Sequence, residues 1–206
     1  TALGVLAGFR PAVLAFLGVG VIGAFLYVWD LRLLMARRNR RILDLTLRHA
    51  VVAAAYLVLT ALAVFLVAAF PGAASGAATG ATPLISGTAY LALAGWLSIF
   101  VTGMLYKITP FLVWYHRYAS KVGLEPVPLL KDMYSTGMAS AAFTFYNIGV
   151  VGVALVLFIS PFTGAAGGDA GSGAAQAATL LLGLFQGLAA LATYLLAVNV
   201  YRIFLK

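Results

Sequence analysis

Residues 37–70 read RRNRRILDLTLRHAVVAAAYLVLTALAVFLVAAF, an arginine-rich turn followed by an apolar run. The last 21 residues of this stretch carry no charged side chain. A helix needs about 20 predominantly apolar residues to cross the hydrocarbon core of a bilayer. The stretch therefore predicts a transmembrane helix that begins beside a basic turn.

The same pattern recurs along the chain, and five segments approach the length of a membrane span. They cover about residues 11–34, 50–70, 84–106, 138–160 and 177–201. None alternates polar and apolar residues as a barrel strand does, and backbone groups in lipid must bond within their own segment. We therefore predict an all-α polytopic membrane bundle that forms a single transmembrane domain over residues 1–206.

The composition agrees with a membrane protein and excludes other classes. The chain is 64% hydrophobic and 9% charged, whereas a soluble domain is roughly 45–50% apolar and about 25% charged. A soluble globular enzyme and a disordered protein are therefore excluded. The net charge of +8 does not indicate nucleic-acid binding, because the basic residues cluster at the ends of apolar runs. The chain has no cysteine, which removes disulfides and thiolate metal sites.

The basic residues predict the topology. With five spans, twelve of the thirteen Lys and Arg residues fall on one side of the membrane. They are Arg32, Arg37, Arg38, Arg40, Arg41, Arg48, Lys107, Arg117, Lys121, Lys131, Arg202 and Lys206. Arg10 alone falls on the other side. By the positive-inside rule we expect a bacterial cytoplasmic (inner) membrane protein with its N-terminus outside and its C-terminus in the cytoplasm.

The connection after the third span is predicted to lie at the membrane surface. Pro110 is expected to end or kink the third helix near Thr109, and Phe111–Ser135 then reads as a re-entrant or interfacial segment on the cytoplasmic face. Aromatic rings with basic neighbours suit the headgroup boundary. The predicted interfacial anchors are Lys107, Trp114, Tyr115, Arg117 and Tyr118. An ordinary loop with an aromatic belt is the alternative.

The two histidines are the candidate cofactor ligands. His49 and His116 are each predicted near the cytoplasmic end of a span, at a similar depth. Histidine is a common ligand of haem and of copper, so a shared haem or metal site is one hypothesis. Two interfacial histidines without a ligand are the alternative. The sequence lacks a CxxCH motif, so covalent c-type haem is not supported.

Polar but uncharged residues are the other candidates within the spans. Asn147, Gln186 and Asn199 are predicted to make polar contacts inside the membrane, either as interhelical hydrogen bonds or as contacts to a substrate or quinone. No Asp, Glu, Lys, Arg or His lies at the middle of a predicted span. Such residues usually mark ion and proton paths, so a carboxylate-based pump or hydrolase is disfavoured. Gly183 and Gly187 form a GxxxG pair that allows close helix packing.

One region resembles a known family. Gly95-Trp96, Gly103–Ile108, Pro110–Tyr118 and Val127-Pro128 carry the resemblance. They resemble a group of bacterial polytopic proteins that is itself similar to haem–copper oxidase subunit I and to NnrS-type nitric-oxide-response proteins. The resemblance implies an oxidase-related scaffold, with this chain as the C-terminal half of a longer protein. Oxidase-like helices carry embedded histidines, whereas the residues just before Gly95 contain none.

These observations leave three functional hypotheses open. The leading one is a non-catalytic scaffold or subunit of a larger respiratory or electron-transfer assembly. Such a subunit would contact the lipid bilayer and either other membrane subunits or a missing N-terminal half. The second is a haem-binding electron-transfer module that uses His49 and His116. The third is a permease for a neutral or lipophilic substrate, which a polar cavity lined by Asn147 and Gln186 would favour and a dry interior would disfavour.

Overall fold

A computed structural model describes residues 2–37, 44–70, 83–162 and 173–205. Five of its helices are long and apolar enough to cross a membrane, and together they form the predicted all-α bundle. The helices are α1 (Ala2–Ala36), α2 (Leu45–Ala69), α3 (Pro83–Tyr90, Leu91–Ser98 and Ile99–Tyr118), α4 (Thr136–Ile159) and α5 (Gly173–Leu205). Arg38, Arg40, Arg41 and Lys206 of the predicted basic side lie outside the described residues.

Capping residues set the starts of two helices. The Asp44 carboxylate accepts a hydrogen bond of 2.9 Å from the Leu45 N–H, so α2 begins five residues before the apolar run. The Ser135 hydroxyl oxygen accepts one of 3.3 Å from the Met138 N–H at the start of α4. Both bonds satisfy donors that a helix leaves free at its N-terminus.

The third helix does not end at Pro110, and the prediction that it would end near Thr109 is wrong. The α-helical part of α3 continues through Pro110 to Tyr118. Proline removes one backbone donor, and membrane helices tolerate this loss when neighbouring groups compensate. The predicted interfacial segment is therefore divided: Phe111–Tyr118 belongs to α3, and residues 119–135 form the connection to α4.

The middle of α3 is a π-helix. Residues Leu91–Ser98 have the wider π-helical form, which is rare and often lies at functional sites. Two carbonyls of this segment accept hydrogen bonds from side chains. Leu93 accepts from the Ser98 hydroxyl at 2.7 Å, and Ala94 accepts from the Tyr146 hydroxyl at 3.2 Å. The π-helical segment of α3 is thus hydrogen-bonded to α4.

Glycines bring the helices of the core close together. A Cβ atom added at Gly149 of α4 would lie 2.7 Å from the Phe185 carbonyl oxygen of α5. Gly95 and Gly103 of α3 pack against Tyr56 and His49 of α2. These two glycines therefore allow α3 to lie close to α2. The core between α2, α3 and α4 contains Ala53, Tyr56, Leu91, Ile99, Val150 and Ala154. In contrast, α1 packs chiefly against α2.

Arginines mark both ends of the bundle. Arg10 and Arg32 are 22 residues apart on α1, which spans about 33 Å at a helical rise of 1.5 Å per residue. This length matches a hydrocarbon core of about 30 Å. Arg10 donates a hydrogen bond of 2.8 Å to the Ala69 carbonyl at the end of α2. This contact places the positive charge at the negative end of a helix dipole.

The opposite end of the bundle, here called the basic end, gathers charges from several helices. The Arg48 guanidinium donates to the Ser140 hydroxyl at 3.3 Å, and the Arg202 guanidinium lies 3.3 Å from the Met138 sulfur. Both arginines therefore reach the first turns of α4. Large apolar side chains such as Phe16 and Leu180 are exposed on the outer faces of α1 and α5, as expected where lipid covers a helix.

Candidate functional site

A cavity of about 180 Å³ lies among α2, α3, α4 and α5. We call it the polar cavity because seven of its lining side chains carry a polar atom and, among the described residues, none that lines it is charged. They are His49, Ser98, Thr102, Tyr106, Tyr146, Asn147 and Thr193. The rest of the lining is apolar and includes Ile99, Ala142, Phe143 and Ala192. A polar cavity inside an apolar bundle is the most distinctive site in the described part of the chain.

The polar cavity lies within the apolar length of the helices. His49 directly follows Arg48, and Tyr106 directly precedes Lys107, so these two lining residues are at the basic end. Ser98 is nine residues before Lys107, which places it about 13 Å deeper along the helix. The cavity therefore extends from the basic end toward the middle of the bundle.

His49 contributes a neutral imidazole nitrogen to this site. Its side chain is 2% exposed and lies edge-on to the Phe143 ring, with the ring centroids 4.6 Å apart. The Nδ1 atom is 2.8 Å from the Leu45 carbonyl oxygen. Because a carbonyl only accepts, Nδ1 carries the proton, and Nε2 of the neutral ring keeps its lone pair. The histidine is thus oriented by its own helix and offers one acceptor.

Asn147 is held at the inner end of the cavity by two hydrogen bonds. Its amide nitrogen donates to the Phe143 carbonyl at 2.7 Å, and its oxygen accepts from the Tyr56 hydroxyl at 3.3 Å. Tyr56 also lines an apolar groove of about 680 Å³ formed by α2, α3 and α4, with Leu59 and Phe158 in its wall. The Tyr56–Asn147 pair therefore stands between the polar cavity and the apolar groove.

The two histidines do not come together. His49 packs against Gly103, whereas His116 is 13 residues farther along the same helix, a separation of about 20 Å. Nitrogen ligands of one metal ion lie only about 2.0–2.1 Å from it, so these residues do not fit a shared haem or metal ion. Among the described residues, no group of three or more His, Asp or Glu side chains is arranged to hold a metal.

The other two predicted intramembrane polar residues, Asn199 and Gln186, differ in burial and in their contacts. Asn199 is fully buried and pairs with the Ser135 backbone, accepting from its N–H and donating to its carbonyl at 2.9 Å each. It therefore fixes the connection before α4. Gln186 is exposed on α5 and does not line the polar cavity. Around Gly183 and Gly187, the described residues leave open space.

The predicted interfacial anchors follow one another along the last turns of α3. Lys107, Tyr115 and Arg117 are exposed, and Tyr118 is half-buried. The Trp114 indole N–H donates a hydrogen bond of 2.8 Å to the Pro128 carbonyl, so it fastens the connection to α3. In this connection, burial raises the pKa of the Tyr134 hydroxyl, and the nearby Asp44 carboxylate raises it further. The Tyr134 hydroxyl is therefore protonated at neutral pH.

Sequence reasoning did not select most residues of the polar cavity. Ser98, Thr102 and Tyr106 are spaced four residues apart within an apolar span, and residues at this spacing share a helix face. That spacing was the available signal. Tyr146 and Thr193 had no comparable signal, because their contribution depends on how α4 and α5 are rotated.

No protein-family model, curated protein or solved structure matches this chain.

Proposed function

We propose that this protein is a permease for a small uncharged molecule, which it binds in the polar cavity. The observation that carries this proposal is the set of seven polar, uncharged side chains within the apolar bundle. Polar groups inside a membrane are unfavourable unless they have partners, and they commonly mark substrate paths. A lining without a charged side chain favours a neutral substrate.

The apolar groove supplies a second part of the proposed path. It lies on the other side of the Tyr56–Asn147 pair from the polar cavity. A single hydrogen bond of 3.3 Å between these side chains is a weak barrier, since such a bond contributes only about 0.6–2 kcal/mol in membranes. We propose that this bond opens when a substrate moves between the two spaces.

The distribution of charge supports an orientation for this path. Arg48, Lys107 and Arg202 lie toward the basic end, while Arg10 lies toward the other end and is engaged by the Ala69 carbonyl. By the positive-inside rule, we propose that the basic end faces the cytoplasm of a bacterial inner membrane. The end of the polar cavity that contains His49 and Tyr106 would then lie nearer the cytoplasmic side.

Blocking the cavity tests the proposal. Ala192 is 2% exposed and lines the cavity, whereas Ala190 is exposed on the same helix. In proteoliposomes, we expect the wild-type protein to accelerate uptake of small neutral solutes, measured by stopped-flow light scattering. Ala192→Leu should abolish this acceleration, and Ala190→Leu should retain it.

A second blocking variant separates transport from folding. Thr193 is exposed at the edge of the cavity, so Thr193→Trp narrows the cavity without filling the core. Monodisperse protein that carries this variant should also lose uptake. If both blocked variants transport solutes at the wild-type rate, the polar cavity is not the path and the proposal is wrong.

A non-catalytic subunit of a larger membrane assembly is the second candidate, and the exposure of Gln186 favours it. Gln186 is near the middle of α5, between the open positions Gly183 and Gly187. A polar amide that faces lipid gains from a partner helix, and small neighbouring residues allow close approach. The resemblance to the haem–copper oxidase-like group supports the same role.

Association in mild detergent tests this second candidate. Native mass spectrometry of membrane-extracted protein should detect complexes larger than one chain, and Gln186→Leu should reduce them. Gln176→Leu, near the start of the same helix, is a matched control that should not. A monomer in every preparation would contradict this role. The permease does not include haem, so a Soret absorption band from the purified chain would favour the haem-binding module over the permease.

A further inference from the structure

We infer that the polar cavity selects molecules that donate hydrogen bonds. Its ligand class is a small uncharged molecule with more N–H and O–H donors than acceptors, such as a primary amide or urea. This inference rests on the proposed function, since it names the substrate class of the same site. The inference follows from the hydrogen bonds that the lining side chains already donate within the protein.

Three hydroxyl groups of the lining have already donated their protons to backbone carbonyls. Ser98 donates to Leu93 at 2.7 Å, and Tyr146 donates to Ala94 at 3.2 Å. Thr193 donates to Ala189 at 2.9 Å. A hydroxyl has one proton and two lone pairs, so while its proton is held in such a bond each of these oxygens offers a ligand only an acceptor.

The other polar groups of the lining increase the excess of hydrogen-bond acceptors over donors. Nε2 of His49 is an acceptor because Nδ1 donates to Leu45. The Tyr106 hydroxyl has no accessible surface and therefore presents no donor to the cavity. Asn147 keeps one N–H after its bond to Phe143, and the Thr102 hydroxyl can rotate to serve either role. Four committed acceptors therefore face one committed donor.

The charges around the cavity disfavour a cation as the hydrogen-bond-donating ligand. The described lining contains no carboxylate that would neutralise a cation. The Arg48 guanidinium carbon lies 5.2 Å from the centre of the Phe143 ring, which lines the cavity. A second positive charge in this apolar region would be repelled by Arg48 and would lose its hydration. An uncharged donor avoids both effects.

The volume limits the size of the ligand. The polar cavity measures about 180 Å³, and an apolar protein cavity of about 150 Å³ holds one benzene molecule. The ligand therefore has up to about six non-hydrogen atoms. Acetamide and acetone are both within this limit and have nearly the same shape. Acetamide carries two N–H donors, whereas acetone carries none.

Binding of these two probes tests the inference. Saturation-transfer NMR would be recorded on the methyl protons of each probe, with the protein in lipid nanodiscs and with empty nanodiscs subtracted. We expect wild-type protein to bind acetamide at least about fivefold better than acetone, the ratio that one additional hydrogen bond of about 1 kcal/mol produces. Equal binding, or stronger binding of acetone, overturns the inference.

Matched threonine variants test the lining itself. Thr193→Val removes an acceptor from the cavity and should weaken acetamide binding about fivefold, with acetone unchanged. Thr179 makes the same bond to its own helix, donating to Ala175 at 2.9 Å, but it does not line the cavity. Thr179→Val should therefore change neither signal. A similar loss of acetamide in both variants would contradict a role for the lining.

The outcomes separate this inference from the proposed function. If acetone and acetamide bind equally and Ala192→Leu removes both signals, the cavity binds small molecules but does not select donors. In that case the inference fails and the proposed function stands. If neither probe binds while the wild-type protein accelerates uptake of other neutral solutes, the inference fails and the proposed function stands; if neither binding nor uptake is observed, both fail.

Discussion

Asn199 and Gln186 are both amides on α5, and their surroundings differ completely. Asn199 is fully buried and satisfies both backbone groups of Ser135. Gln186 is exposed among open glycine positions. The same functional group therefore stabilises the fold at one position and remains available to a neighbour at the other.

This contrast predicts a difference in stability. Asn199→Leu leaves the N–H of Ser135 without a partner and removes one of the two hydrogen bonds that its carbonyl accepts, so we expect the free energy of unfolding to fall by about 1–3 kcal/mol. Gln186→Leu changes an exposed side chain and should alter that free energy by less than about 0.5 kcal/mol. Unfolding of the monomeric protein in mixed SDS and mild detergent measures both changes. Equal losses would contradict the structural role of Asn199.

The sequence identified the polar residues within the spans, but it did not indicate which way each side chain faces. Asn147, Gln186 and Asn199 look alike in a hydropathy profile, because each is a polar residue in an apolar run. Their separation into a cavity residue, an exposed residue and a buried residue depends on helix rotation. Rotation is set by tertiary contacts such as Gly149 against Phe185, which a single sequence does not reveal.

At the scale of elements, the close approach of α4 and α5 depends on glycine. A Cβ atom at Gly149 would be 2.7 Å from a backbone oxygen, which cannot rotate away as a flexible side chain can. We expect Gly149→Ala to separate the two helices and to lower the free energy of unfolding by about 1–3 kcal/mol.

Gly183→Ala on α5 is the matched control for this change. A Cβ atom there would meet none of the described residues within 4 Å, and alanine favours helix over glycine by about 1 kcal/mol. This variant should be neutral or slightly stabilising in the same unfolding assay. A loss as large as that of Gly149→Ala would show that the effect does not come from helix packing.

An indole hydrogen bond fastens the connection after α3 to the end of that helix. Trp114→Phe removes the donor to the Pro128 carbonyl, and we expect residues 119–135 to open more often. Trypsin should then cleave at Lys121 or Lys131 faster than in the wild-type protein, as measured by gel analysis. Tyr115→Phe, on an exposed neighbour, should leave the rate unchanged. Unchanged cleavage in Trp114→Phe would contradict the role of this bond.

Hydropathy was sufficient to predict five apolar helices but not the form of α3. The proline rule predicted an end or a kink near Thr109, and the helix does not end there, because the loss of one donor at Pro110 did not stop it. The π-helical form of Leu91–Ser98 had no signal in the sequence either. One of its carbonyls accepts a hydrogen bond from the Tyr146 hydroxyl of α4, a contact that the local sequence does not reveal.

At the scale of the whole molecule, the distribution of charge predicts orientation. A green fluorescent protein fused after Lys206 should fluoresce in bacterial cells, because the basic end is expected in the cytoplasm. Alkaline phosphatase fused at the same position should be inactive, since it requires the periplasm to fold. An active phosphatase and a dark fluorescent fusion would reverse the proposed orientation.

The π-helical segment Leu91–Ser98 has more residues per turn than an α-helix, so it sets the rotation of the part of α3 that follows it. Each residue of an α-helix turns its successors by about 100°. Removing one residue from Leu91–Ser98 and restoring an α-helical turn would release the bond between Ala94 and Tyr146. A variant with such a deletion is therefore expected to keep a folded membrane helix while Thr102 and Tyr106, which follow the deletion, turn by about 100° away from the polar cavity.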